Sequence, residues 1–178
     1  NSIDMMISLN GLPIVIMELK NQFTGQNVEN SKKQFREDRD PNELLFKFKE
    51  RAVVFLAVDT DEIYMTTKLN KNKTFFLPFN KGNEGGAGNP PNGEEFRTAY
   101  LWEDILQKSS LIDILFRFMY IKQEEIKDCD GKVIETKETV IFPRYHQLEA
   151  VRKIEAHAKN NGAGNNYLIQ HSAGSGKT

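Results

Sequence analysis

Two apolar runs, residues 3–9 and 12–19, meet at Asn10-Gly11. Both residues of that dipeptide tolerate the positive φ of a tight hairpin turn, so the start of the chain is committed to an antiparallel strand pair. Charges interrupt both strands. Asp4 stands between Ile3 and Met5, and Glu18 and Lys20 close the second run after "LPIVIM". A charge in such a setting is costly unless it is used or paired. Side chains alternate along a strand, so Glu18 and Lys20 share one face.

The tripeptide Glu18-Leu19-Lys20, an acid, any residue and a lysine, carries no information alone. The same pattern occurs at Glu125-Ile126-Lys127, Asp130-Gly131-Lys132 and Glu135-Thr136-Lys137, all in a charged stretch. The apolar setting of the first copy sets it apart. Its chemistry points to metal-assisted phosphodiester hydrolysis, which needs a divalent cation to offset phosphate charge and lower the pKa of an attacking water. Mg²⁺ takes oxygen ligands and only one or two carboxylates. Asp4 and Glu18 supply that pair, the Leu19 carbonyl a third oxygen, and Lys20 a cation for the charge developing on the phosphate. A strict two-residue turn would set Asp4 opposite Met17, on the wrong face for Glu18. One extra residue corrects this, so the expectation is a bulged three-residue loop using Gly11. The competing reading is that the three charges form the solvated edge of a hairpin.

The remaining segments read as a mixed α/β domain. Residues 25–40 predict a mostly exposed helix stopped by Pro41, and 52–58 ("AVVFLAV") a buried strand. Residues 62–69 and 74–79 predict further strands. Residues 82–93 ("GNEGGAGNPPNG") have the composition of a long surface loop, a mobile connection or, with Lys81, a contact to DNA or a neighbouring subunit. Leu111, Ile114, Leu115 and Phe118 predict a helix over 101–121, anchored by Trp102 and Ile105. Residues 124–140 read as a hairpin or linker turning at Asp130-Gly131, with a domain boundary near 140. A helix over 145–158 and a short strand over 167–170 follow.

Composition adds limits. The chain has 178 residues, 39% of them hydrophobic, enough for one domain with a core and the start of a second. Its 24 basic and 25 acidic residues give a net charge of -1, so nucleic-acid contact must be local. A single cysteine, Cys129, excludes an internal disulfide, and no apolar run approaches the ~20 residues that span a bilayer. The expectation is a cytoplasmic protein with no membrane partner. His146, His157 and His171 have no metal-site spacing. The chain opens on Asn1 within a strand-like run and closes inside a motif, so it is read as a segment of a longer protein.

Asp4 before a hairpin turn and Glu18-Leu19-Lys20 after it resemble the PD-(D/E)xK nucleases. More specifically, "NGLPIVIMELKN", "QFREDRDPNELLFKFKERAVVFLAVDTDEIYMTT", "FLPFNKG", "GAGNPP", "YLWEDIL" and "FPRYHQLEAV", in that order, resemble the restriction subunit of type I restriction-modification enzymes. The resemblance implies a restriction-endonuclease-like mixed sheet flanked by helices over residues 1–140. A truncated start of a RecA-like motor over 141–178 would follow. It implies Mg²⁺-dependent cleavage of duplex DNA coupled to ATP-driven translocation, with modification and specificity subunits as partners. Asp4, Glu18 and Lys20 match the metal-binding and catalytic positions. Gln34 matches a helix glutamine that positions DNA or water. Position 38, where the family usually has tyrosine, is aspartate, and Ile3 stands where the motif has proline.

The segment "AGSGKT" resembles the phosphate loop of helicase-type ATPases. Gly174, Ser175, Gly176, Lys177 and Thr178 would hold the phosphates and Mg²⁺ of ATP. Upstream, "RYHQ" resembles the adenine-reading motif of that superfamily, with Gln147 as the reader, or else a plain helix-surface glutamine. The acidic motif that completes such a site is absent from this sequence, so the segment by itself is expected to be inactive as an ATPase. The alternatives to a type I restriction subunit are a DNA-binding or coupling module with a degenerate nuclease site and a repair helicase-nuclease, which would share the chemistry.

Overall fold

The computed structural model describes residues 2–171. β1 (Met5–Leu9) and β2 (Leu12–Leu19) form the expected hairpin. Asn10 and Gly11 adopt φ values of 50° and 82°, and Leu9 pairs directly with Leu12. The turn is therefore the two-residue kind, which corrects the expected three-residue loop. The extra residue lies inside the strand instead. Ser8 pairs with Pro13 while Ile7 pairs with Val15, leaving Ile14 without a partner on β1. Asn-Gly fits the tight turn unaided, whereas Pro13 has no N–H to give the ladder, so the ladder breaks cheaply beside it.

β3 (Val54–Val58) runs parallel to β2, followed by antiparallel β4 (Ile63–Thr66) and the short antiparallel β5 (Leu77–Pro78). The five strands lie in the order β1-β2-β3-β4-β5, a mixed sheet. The strands after β3 are shorter than the sequence suggests because hydroxyls bend the chain. Thr66 Oγ1 donates to the Lys68 carbonyl at 3.1 Å, and Thr74 Oγ1 to the Lys71 carbonyl at 2.7 Å.

Alternation sends the sheet's side chains into two cores. Val15, Met17, Val54, Leu56, Val58, Ile63 and Met65 pack on one face. Ile16, Phe55 and Ala57 pack on the other, with Val28 and Phe35 from the helix α1 (Val28–Glu37). Fully buried β3 feeds both, which explains its unbroken apolar sequence. The mostly exposed helix expected over 25–40 is thus shorter and buries a face, Val28, Ser31, Lys32 and Phe35, because it covers the sheet. Asn27 caps it by accepting from the Glu29 N–H at 3.0 Å, and the Val28 N–H donates to Asp59 Oδ2 at 2.8 Å.

The opposite face is covered by a broken helical layer rather than one helix over 101–121. A π-helical turn (Leu101–Ile105), the helix α2 (Lys108–Asp113) and a second π turn (Ile114–Phe118) follow one another. The break falls at Gln107, whose ψ of 142° is extended. Met119 is extended too, and residues 120 and 121 belong to a hairpin of β6 (Tyr120–Lys127) and β7 (Val133–Ile141). Ile105 anchors the layer as expected at 1% exposure. Trp102 does not, at 45% exposure with its ring edge-on to Phe96. The helix α3 (Tyr145–Asn161) follows, and Phe142, Tyr145 and Leu148 join the same core as Val15 and Met17. Packing therefore continues across residue 140. Residues 167–170 form no strand, since among the described residues no ladder partner lies beside them. No helix among the described residues is long and apolar enough to cross a membrane.

Candidate active site

Glu18 lies on the α1 face of the sheet, in register with Ala57 of β3, whose small side chain leaves room beside it. The bulge at Ile14 continues the pairing Met5↔Met17 so that Asp4 falls opposite Glu18. Asp4 Oδ2 accepts the Leu19 N–H at 2.8 Å and Lys20 Nζ at 3.5 Å. The structure therefore brings Asp4, Glu18 and Lys20 together at one end of the hairpin.

Their environments differ. The Asp4 side chain is one-third exposed, at 33%, and that of Lys20 nearly covered, at 12%. Glu18 is fully buried. Its Oε1 accepts two donors from Arg39, Nε at 2.8 Å and Nη2 at 2.5 Å, and Arg39 is itself buried. Its Oε2 is a buried acceptor with no hydrogen-bond partner. Burial pushes the Glu18 carboxyl up to about 7; Arg39 opposes the rise, and the charge of nearby Asp4 adds to it. The backbone of Glu18 is also held, its carbonyl accepting Ser31 Oγ at 2.7 Å.

The donor set suits a hard divalent cation. Two carboxylates lie side by side, and one of their oxygens is buried and unsatisfied, an arrangement that an added cation relieves. No group of three or more His, Cys, Asp or Glu side chains able to hold a metal occurs among the described residues. The remaining ligands would be a backbone carbonyl such as that of Leu19, water and substrate oxygen.

Gln34 sits half-buried on α1, one turn beyond Ser31, and makes no hydrogen bond to Asp4, Glu18 or Lys20. Asp38 ends that helix, its N–H donating to the Gln34 carbonyl at 2.9 Å. Gln147 lies in the first turn of α3, where its Oε1 accepts the Arg144 N–H at 3.0 Å. Gly174, Ser175, Gly176, Lys177 and Thr178 lie outside the described residues.

Sequence reasoning missed Arg39 and Ser31. A buried Glu18 calls for a cation, but Lys32, Lys33, Arg36 and Arg39 all follow within a short stretch, and spacing does not choose among them. Lys32 goes elsewhere, pairing with Glu29 and lying 3.9 Å from the Tyr64 ring centroid. The signal was the need for a partner; only the fold says which residue meets it.

Residues 1–74 match the family model described as "Type I restriction enzyme R protein N terminus". A protein of Methanocaldococcus jannaschii, named as the endonuclease subunit of the type I restriction enzyme MjaVIIIP, is 28% identical over 182 aligned residues. The match covers 98% of this chain, which spans only 16% of that relative's length. No solved structure matches the chain closely enough to count. The resemblance to type I restriction subunits read from the sequence is borne out by these two matches.

Proposed function

We propose that this chain, with a type I restriction enzyme R protein N terminus over residues 1–74, forms the nuclease part of such a subunit and cuts phosphodiester bonds in duplex DNA. The observation that supports the reading most directly is the convergence of Asp4, Glu18 and Lys20, with a buried carboxylate oxygen of Glu18 left unsatisfied. Asp4 and Glu18 would hold Mg²⁺, which when bound offsets phosphate charge and favours a hydroxide nucleophile. Lys20, beside Asp4, would stabilise charge on the scissile phosphate or orient the water. Gln34, one helical turn from the residue that pins Glu18, is a positioning candidate for DNA or water. The small net charge makes affinity for DNA depend on the rest of the assembly, including the modification and specificity subunits.

In the longer protein the segment ending in Gly174, Ser175, Gly176, Lys177 and Thr178 would bind ATP phosphates, with Gln147 at the adenine, and drive translocation of the duplex before the cut. The test is Glu18→Ala in the full-length protein assembled with its partner subunits, with ATP hydrolysis and DNA cleavage assayed separately. Loss of cleavage with ATP hydrolysis retained supports the reading. Unchanged cleavage overturns it and favours a DNA-binding or coupling module.

A further inference from the structure

The two oxygens of Glu18 stand in different situations, and Arg39 makes the difference. Both of its hydrogen bonds to Glu18, from Nε at 2.8 Å and Nη2 at 2.5 Å, go to Oε1, while Oε2 keeps no partner. A guanidinium facing a carboxylate usually spreads two bonds over both oxygens. Here both fall on one.

We propose that Arg39 is a positioning residue for the cation site. It presents Glu18 as a one-oxygen ligand through Oε2 and fixes where that oxygen stands relative to Asp4. The inference rests on the nuclease reading above and assigns a role to a residue that lies outside the acid-x-lysine motif.

Arg39 cannot be a substrate contact, because its side chain is 3% exposed and faces Glu18 from within. Lys20 and Asp4 are the more open members of the group. The Arg39 guanidinium is itself held on more than one side. Nη2 also donates to the Ser2 carbonyl at 2.7 Å, and the group lies 6.0 Å from the Phe46 ring centroid. The Ser2 bond matters for geometry. Ser2 is two residues before Asp4, so one side chain ties the run-in to the Asp4 strand and the Glu18 carboxylate to a single point. Ser31 meanwhile holds the Glu18 backbone, its Oγ donating to the Glu18 carbonyl. Glu18 is thus clamped at both ends, with a single oxygen left for a ligand.

A lysine would not reproduce this. Its ammonium is a point charge on a flexible stem, without the planar fork that holds Oε1 and Ser2 together. Partners that orient a metal ligand from behind typically change cation affinity by about 10–100-fold when removed.

Mn²⁺ is the probe, its binding to the full-length protein followed by electron paramagnetic resonance with and without a short duplex. Thermal unfolding in chelator reports folding independently. Arg39→Lys keeps the buried charge and is expected to fold, yet to bind Mn²⁺ at least tenfold more weakly than wild type. Arg39→Ala is expected to lose Mn²⁺ binding and to regain part of it when methylguanidinium is added to fill the space. A folded Arg39→Lys that binds Mn²⁺ as tightly as wild type overturns the role of Arg39 and leaves the nuclease reading standing. A wild-type protein that binds no Mn²⁺ in either condition, together with a Glu18→Ala protein that still cleaves, overturns both.

Discussion

The Val53 N–H donates to the carbonyl of Ile14 at 2.9 Å, so the residue that β1 leaves unpaired is held by the chain entering β3. That contact makes the bulge part of the sheet, and the bulge decides which face Asp4 occupies. Deleting Met5 keeps the bulge but sets Asp4 opposite Met17, on the face away from Glu18. The expected result is a loss of cleavage of about 10²-fold or more, as for other misplaced reacting groups. Gly11→Val is the contrast. It strains a φ of 82° by about 1–2 kcal/mol in equilibrium unfolding, while cleavage by the folded fraction stays near wild type because the turn does not set the register.

The hairpin was legible because Asn-Gly and two apolar runs agree locally, and the face problem at Asp4 already demanded an extra residue. Its location was not legible, since it depends on Pro13 and on Val53, a partner 39 residues downstream of Ile14. The continuous helix expected over 101–121 failed for a related reason. Apolar spacing there reports burial against the sheet, which the broken layer also satisfies, while Ile121 belongs to a hairpin in which it pairs with the distant Val140. At the candidate site, Asp4, Glu18 and Lys20 were legible because charges stand out in apolar strands. Arg39 was not, because it sits in a charged run where nothing local marks it.

The loop over 82–93 is better fastened than its glycines suggest. Asn89 is 2% exposed; its Nδ2 donates to the Asp61 carbonyl at 2.7 Å and to Asn80 Oδ1 at 3.0 Å, and its Oδ1 accepts the Lys81 N–H at 2.8 Å. Asn89→Ala removes the partner of the Asp61 carbonyl and of the Lys81 N–H, at a cost of about 1–3 kcal/mol. Faster amide exchange confined to residues 80–93, together with a lowered unfolding midpoint, would show that Asn89 pins the loop. Unchanged exchange would mean that the glycine turns hold it alone.

Glu18 gives the metal-free protein a pH dependence of definite sign. Its carboxyl stands at about 7 in the fold against an ordinary 4.5, mainly through burial. The folded state therefore holds a proton that the unfolded chain has released, and stability falls as pH rises from about 4.5 to about 7, then levels. Glu18→Gln resembles the protonated form and lacks this slope. Unfolding free energies measured in chelator should show wild type losing stability relative to Glu18→Gln across that window; parallel curves would mean that Glu18 is not held protonated. Saturating Mg²⁺, which binds the ionised form, should flatten the wild-type slope.

Lys20 should separate chemistry from cation binding. Its Nζ lies 3.5 Å from Asp4 Oδ2, so in the free protein it shares an oxygen that a cation would also use. Removing the charge with Lys20→Met relieves that competition and should leave Mn²⁺ affinity unchanged or tighter. Cleavage should nevertheless fall by about 10²–10³-fold, the usual loss when a group that stabilises developing charge is removed. Asp4→Asn should instead lose both, because Asp4 is proposed as a ligand and also receives the Leu19 N–H that sets its orientation. Parallel titration of Mn²⁺ and single-turnover cleavage on the two variants measures the separation. If Lys20→Met weakened Mn²⁺ binding as much as Asp4→Asn does, Lys20 would be holding Asp4 in place rather than acting on the phosphate.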